Sequence, residues 1–165
     1  MAADEADTPT YQDAAGRFHL KVDYDTDFYA WAQAQAAALR AKDWAALDVE
    51  HLAEEVGDLR KTERRAVRSQ LRLLCSHSLK WHYQPEKRSE SWLGTIREAR
   101  RQIHEALEEM PTLAGELPVL FIAAYRQGRR EAAADTDVDL RTLPPQCPWT
   151  LEAMRTEGWL PPDER

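Results

Sequence analysis

Residues 79–92 read LKWHYQPEKRSESW and join two segments whose apolar residues recur with helical spacing. Pro85 cannot continue the first segment, because its ring removes a backbone donor and clashes with the preceding turn. Ser89 or Ser91 can cap the helix that follows. The stretch therefore predicts two helices joined by a turn. Its aromatic and cationic side chains predict either a packed helix–helix joint or a recognition surface.

Apolar residues recur every three or four positions on both sides of this joint. The longest pattern becomes apolar on most sides toward its end, which predicts a central helix with Leu71, Leu74, Cys75 and Trp81 nearly inaccessible. No alternating pattern of useful length predicts a strand. The predicted helices cover residues 26–41, 49–59, 62–82, 117–135 and 151–156, with another from Ser89 or Ser91 to about 109 and a short turn at 43–47.

These patterns predict an all-α fold: a single helical bundle of about four long helices plus one or two short ones, with no β-sheet. Residues 1–17 are expected to form a flexible N-terminal tail. Residues 18–165 are expected to form a single all-α domain. A chain of 165 residues, 43% of them hydrophobic, can bury one sizeable core.

Cysteine usage and hydropathy restrict the compartment and the chemistry. Cys75 and Cys147 are far apart and show no metal-binding spacing, which indicates reduced thiols. The first 13 residues have no apolar core of a signal peptide, and the apolar run at 119–125 is too short to cross a bilayer. We therefore expect a cytoplasmic protein that requires no membrane and no cofactor.

Charge is segregated along the chain. Residues 1–59 carry a net charge of −9, residues 60–104 one of +8, and residues 105–165 one of −6. A basic segment between acidic ones is compatible with a nucleic-acid surface. We favour intramolecular neutralisation, because the whole chain is acidic at −7. The cations expected to pair with carboxylates of the flanking segments are Arg60, Lys61, Arg64, Arg65, Arg68 and Arg72.

Carboxylates and histidines on two predicted helices are candidates for acid–base or metal chemistry. Glu54 and Glu55 share a helix with His51, and Glu55 borders an apolar stripe formed by Leu52, Val56 and Leu59. The chain has no Glu-x-x-His pair of the di-iron type, so we predict no metal site. His77 lies on an apolar part of the central helix and is either a core histidine or a functional one.

The joint itself is the other candidate site. Lys87 and Arg88 precede a helix whose dipole they oppose, so they require an anion from this chain or from a ligand. Trp81 and Trp92 can stack a base or pack together. The candidate binding residues are Glu55, His77, Lys80, Trp81, Arg88, Ser91 and Trp92.

Several motifs resemble a bacterial family catalogued as domain of unknown function 29. The similar residues are LAEEV at 52–56, HSLKWHYQP at 77–85, Arg88, SWLGTI at 91–96 and Arg100. Further likeness covers DFYAW at 27–31 and CPWT at 147–150, so the resemblance spans about residues 23–162. Val56 and Ser78 depart from the family's usual Ile and Leu. The resemblance implies an all-helical fold without an established activity, and it assigns no catalytic residues.

The leading hypothesis is a non-enzymatic helical module that binds a protein partner or forms a homo-oligomer. One alternative is a nucleic-acid-binding protein that uses the basic segment at residues 60–104. Another is a metal- or acid/base-dependent enzyme that uses Glu54, Glu55 and His77. Whether any reaction is catalysed stays open.

Overall fold

The computed structural model describes residues 10–12, 18–20 and 22–163. The chain divides into two compact units, one up to Leu59 and the other from Arg60 onward. The prediction of a single domain over residues 18–165 stays a prediction. Within the described residues the helices are α1 (Phe28–Ala41), α2 (Val49–Tyr83), α3 (Glu90–Glu109), α4 (Leu117–Thr136) and α5 (Leu151–Arg155), with 3-10 turns at Trp44–Ala46, Pro85–Lys87 and Pro111–Glu116.

The all-α fold class is confirmed, with four long helices and one short helix in the described part of the chain. The expectation of no β-sheet is corrected in one detail. Two three-residue strands, β1 (Thr10–Gln12) and β2 (Phe18–Leu20), pair antiparallel with Thr10 opposite Leu20. The strands are too short for an alternating pattern to be recognised. Strand β1 lies within the predicted tail, and the rest of residues 1–17 lies outside the described residues.

The first unit contains α1 and the beginning of α2. The Asp27 side chain accepts a hydrogen bond from the Ala30 amide and begins α1, two residues after the predicted start. Lys42 ends α1 in a left-handed conformation, which turns the chain toward the next element. The buried face of α1 consists of Trp31, Gln35 and Ala38.

Helix α2 is continuous over 35 residues, where the sequence predicted two helices. Neither Arg60 nor Lys61 is a helix breaker. Asp48 caps the start of α2 by accepting a hydrogen bond from the His51 amide, so no second cap is needed at Thr62. The helix therefore has no reason to end at Leu59 and restart at Thr62.

The second unit has its core around the C-terminal half of α2. Leu71, Leu74 and Cys75 are fully buried, as predicted. Trp81 is only half-buried, so that part of the prediction is wrong; the Arg88 side chain covers one face of its ring. Side chains from α3, α4 and the segment after α4 complete the core, including Ile96, Ile103, Leu117, Ala124 and Leu143.

Helices α2 and α4 approach closely at Gly128. A Cβ atom at this position would lie 2.7 Å from the Arg72 carbonyl oxygen and 3.1 Å from the Cys75 Cβ. Only glycine permits this contact without displacing the backbone of α2. The close approach sets the spacing at which side chains near the C-terminal ends of α2 and α4 meet.

Candidate functional sites

Lys80 is the most buried cation of the predicted joint. Its side chain is 6% exposed, and its Nζ lies 2.9 Å from Asp135 Oδ2 near the end of α4. The same Nζ lies 5.3 Å from the centroid of the Trp92 ring. A buried ammonium group requires such compensation, because its transfer from water is costly. Lys80 therefore connects α2 to both α3 and α4.

Arg88 packs on the other tryptophan of the joint. Its guanidinium carbon lies 5.1 Å from the centroid of the Trp81 ring, and its Nε donates to the Trp81 carbonyl oxygen at 2.9 Å. The guanidinium also pairs with Asp163. Arg88 thus obtains the anion that its position before α3 requires from this chain itself.

Serine and glutamine side chains complete the joint. Ser89, and not Ser91, caps α3 by accepting from the Trp92 amide. Among the described residues, the Ser91 carbonyl oxygen accepts a hydrogen bond from the Thr95 hydroxyl. Gln84 Nε2 donates to the Thr136 carbonyl oxygen at 2.9 Å. These contacts make the joint a packed connection between helices.

His77 is oriented by its own helix. Its Nδ1 lies 3.1 Å from the Leu73 carbonyl oxygen, a contact that favours a neutral ring with the proton on Nδ1. Burial, and then the charge of Lys80, lower the pKa of His77. His77 belongs to the second unit, whereas Glu54 and Glu55 belong to the first. The acid–base alternative that combines these residues stays a prediction.

A polar cluster occupies the start of α2 in the first unit. Asp48 Oδ2 lies 2.6 Å from His51 Nδ1 and accepts from Trp31 Nε1 at 3.2 Å. Gln35 Oε1 accepts from the Asp48 amide at 2.8 Å. The hydrogen bond between the two side chains lowers the pKa of Asp48 and raises the pKa of His51. Asp48 and His51 therefore form an ion pair when the imidazole is protonated.

Tyr24 brings the predicted Glu55 into the same cluster. The Tyr24 hydroxyl donates to Glu55 Oε1 at 2.5 Å, which raises the pKa of Tyr24 to about 12. The Tyr24 ring stacks on His51 at a centroid distance of 4.1 Å. Glu55 is thus held as a hydrogen-bond acceptor. Among the described residues no group of three side chains is arranged to hold a metal ion.

The apolar stripe predicted on residues 49–59 faces solvent. Val49, Val56 and Leu59 are 67%, 65% and 66% exposed, and Leu52 is half-buried. These four residues are called the α2 seam below. Isolated exposed apolar residues are common, but a row on one helix face indicates a contact surface.

The predicted pairing of the cations at residues 60–72 with carboxylates of the flanking segments is confirmed for three arginines. Arg60 Nη2 and Arg64 Nε lie 3.1 Å and 2.5 Å from the Glu116 carboxylate, and Arg72 pairs with Glu131. Neither Arg65 nor Arg68 forms an ion pair with a described residue. These two line a cavity of about 180 Å³ together with Lys61, Arg64 and Leu120.

A family model described as Domain of unknown function DUF29 matches residues 24–160. The chain belongs to this family. No curated protein and no solved structure matches the DUF29 chain significantly. No helix that the structure describes combines the length and apolarity needed to span a bilayer.

The geometry gives the DUF29 motif residues of this chain a structural role. Lys80 and Gln84 bind the end of α4, Arg88 covers Trp81, and Trp92 receives the Lys80 ammonium group. Arg100, another motif residue, is 8% exposed and donates to the Met154 and Trp159 carbonyl oxygens. These contacts position the helix ends and the C-terminal segment.

Sequence reasoning missed Tyr24 and the structural importance of Arg100. Tyr24 precedes α1 and gives no periodic signal, because its partner Glu55 is 31 residues away. Arg100 offered a weak signal: it adjoins the apolar residues Ile96, Ala99 and Ile103 on α3, where a charged side chain is unusual.

Proposed function

We propose that this chain is a helical interaction module that pairs with a second copy of itself through the α2 seam. The observation that carries the proposal is the row of apolar side chains on α2, three of which are about two-thirds exposed. Burying such a row against another helix removes apolar surface from water, which is the main favourable term in association.

The spacing of the α2 seam suits a helix as the occupant. Val49, Leu52, Val56 and Leu59 are separated by three, four and three residues, which is the spacing of a coiled-coil seam. Valines alternate with leucines along it, so every position of the seam is apolar. The seam is short, so we expect a reversible dimer.

Charge complementarity favours a second copy in antiparallel orientation. Along α2 the acidic residues Glu50, Glu54, Glu55 and Asp58 come before the basic residues Arg60, Lys61, Arg64, Arg65 and Arg68. A two-fold axis near Leu59 places the acidic stretch of each copy beside the basic stretch of the other. Parallel pairing would place like charges together.

Sedimentation velocity over a range of protein concentrations tests this proposal. We expect a monomer–dimer equilibrium that weakens as salt is added. Val56→Glu and Leu59→Glu should each abolish the dimer, because they bury a charge in an apolar contact. Val119→Glu on α4 is the matched control, since Val119 is 67% exposed, and it should leave the dimer intact. A wild-type chain that stays monomeric, or a dimer lost only in the control, would contradict the proposal.

Disulfide cross-linking tests the orientation. Leu59→Cys lies near the expected two-fold axis and should cross-link under mild oxidation, whereas Val49→Cys should not. The wild-type chain is the control for Cys75, which is buried, and Cys147, which is partly buried. Equal cross-linking at both introduced positions would indicate parallel pairing and refute the antiparallel arrangement.

A further inference from the structure

A basic cavity of about 780 Å³ lies between α3 and the end of α5, within the second unit. Four of its lining residues lie on one face of α3, where positions three and four apart are neighbours. The other lining residues are the last residue of α5 and two residues shortly after it. The lining consists of Arg97, Arg100, Arg101, His104, Arg155, Glu157 and Gly158.

Some of the lining side chains already contact carboxylates of this chain. Arg101 pairs with Glu98 and Glu105, and His104 Nε2 lies 3.3 Å from Glu108. Arg97 and Arg155 form neither a salt bridge nor a side-chain hydrogen bond with any described residue. Glu157 contributes the one carboxylate among the described lining residues. The cavity therefore retains a surplus of positive charge.

Arg100 is the unusual member of the lining. Its side chain is more than nine-tenths buried, and its hydrogen bonds to described residues go from Nε to the Met154 carbonyl oxygen and from Nη2 to the Trp159 carbonyl oxygen. No described carboxylate forms a salt bridge with it, and burial lowers its pKa. A buried guanidinium whose hydrogen bonds go only to carbonyl groups is costly, and the charge of Glu157 offsets part of that cost. The two carbonyl contacts also fix its orientation before any ligand arrives.

We propose that this cavity binds a small molecule that carries phosphate groups, with Arg100 as the fixed cation and Arg97 and Arg155 as the clamping cations. Guanidinium groups bind phosphate oxygens in a bidentate manner, which matches several arginines around one cavity. The volume is that of a small-molecule site. The described lining contains no phenylalanine, tyrosine or tryptophan ring on which successive bases could stack, which favours a small phosphate over a single strand.

Isothermal titration calorimetry with pyrophosphate, ATP and a short oligoribonucleotide tests the proposal. We expect saturable binding of pyrophosphate or ATP to the wild-type chain. Arg97→Gln and Arg155→Gln should each weaken binding by about tenfold, the effect of one charge-assisted hydrogen bond. Glu157→Gln should tighten binding, because it removes a negative charge that repels the phosphate. Arg126→Gln changes an exposed arginine of α4 outside the cavity and should have no effect.

The variants separate specific binding from general attraction to anions. Equal weakening by Arg126→Gln, or weaker binding in Glu157→Gln, would overturn the site. The absence of binding by all three probes would also overturn it. Binding of the oligoribonucleotide alone would overturn the assignment to small phosphates. Arg97 and Arg155 lie outside the α2 seam, so their variants should retain the wild-type sedimentation behaviour.

Discussion

At the scale of single residues, Asp48 has two roles at the start of α2. One carboxylate oxygen accepts from the His51 amide and caps the helix, while the other contacts the His51 ring and the Trp31 indole. The ring contact couples the beginning of α2 to pH, because the hydrogen bond to Asp48 raises the pKa of His51.

Asp48→Asn should lower the pKa of His51, because it removes the negative charge that stabilises the imidazolium. In the wild-type chain the raised pKa of His51 contributes stability below about pH 6.5, lost as pH rises through the folded pKa. The lowered pKa of Asp48 contributes stability above about pH 3.9, lost as pH falls through its folded value. The pair is therefore most stabilising between these limits. An NMR titration of the His51 ring protons measures the pKa.

Asp43→Asn is the control for this titration. Asp43 precedes a 3-10 turn and makes no side-chain capping bond, so its substitution should leave the pKa of His51 unchanged. An unchanged pKa in Asp48→Asn would mean that the contact between the carboxylate and the ring does not persist in solution.

At the scale of helices, two glycines inside helices have opposite roles. Gly94 lies on an exposed face of α3 with no atom within 4 Å of an added Cβ, whereas Gly128 lies where α4 meets α2. Helix propensity alone would favour alanine at both positions.

Gly94→Ala should stabilise the fold by about 0.5–1 kcal/mol, because alanine loses less backbone entropy than glycine in a helix. Gly128→Ala should destabilise it by about 1–3 kcal/mol, because the new methyl group overlaps the Arg72 carbonyl oxygen and forces the helices apart. Urea unfolding of the two variants measures the difference. Stabilisation in both would show that α2 and α4 pack less closely in solution than the contact at Gly128 requires.

At the scale of the whole molecule, the cohesion of the second unit depends on α2. Leu71, Leu74 and Leu79 are fully buried, and the core cluster includes residues from α2, α3, α4 and α5. Removal of volume from α2 should therefore affect the whole unit.

Leu74→Ala should lower the free energy of unfolding by about 2–5 kcal/mol, since it removes buried methyl groups and leaves a cavity that close-packed neighbours fill only partly. Val119→Ala, at an exposed position of α4, should change it by about 0.5 kcal/mol or less. Thermal and urea unfolding measure both. A Leu74→Ala chain as stable as the control would place α2 in a different register.

The sequence by itself determined the helices and most of their ends. Apolar spacing and capping act over one or two turns, so Pro85 and the two serines Ser89 and Ser91 were sufficient to predict, within two residues, where α2 ends and α3 begins. The same spacing identified Leu71 and Leu74 as core residues. It predicted a break between Leu59 and Thr62 that does not exist, because the residues between them are compatible with a continuous helix.

Only the tertiary structure decided which partners the polar side chains obtain. Lys80 and Asp135 are 55 residues apart, a separation that no local helical spacing can predict. Arg100 reaches Met154 and Trp159 only because α3 packs beside the C-terminal segment. The exposure of the α2 seam was equally hidden, since an apolar stripe has the same sequence whether a neighbour covers it or water does. Local spacing specifies the face of a helix, whereas the packing of distant segments determines what that face contacts.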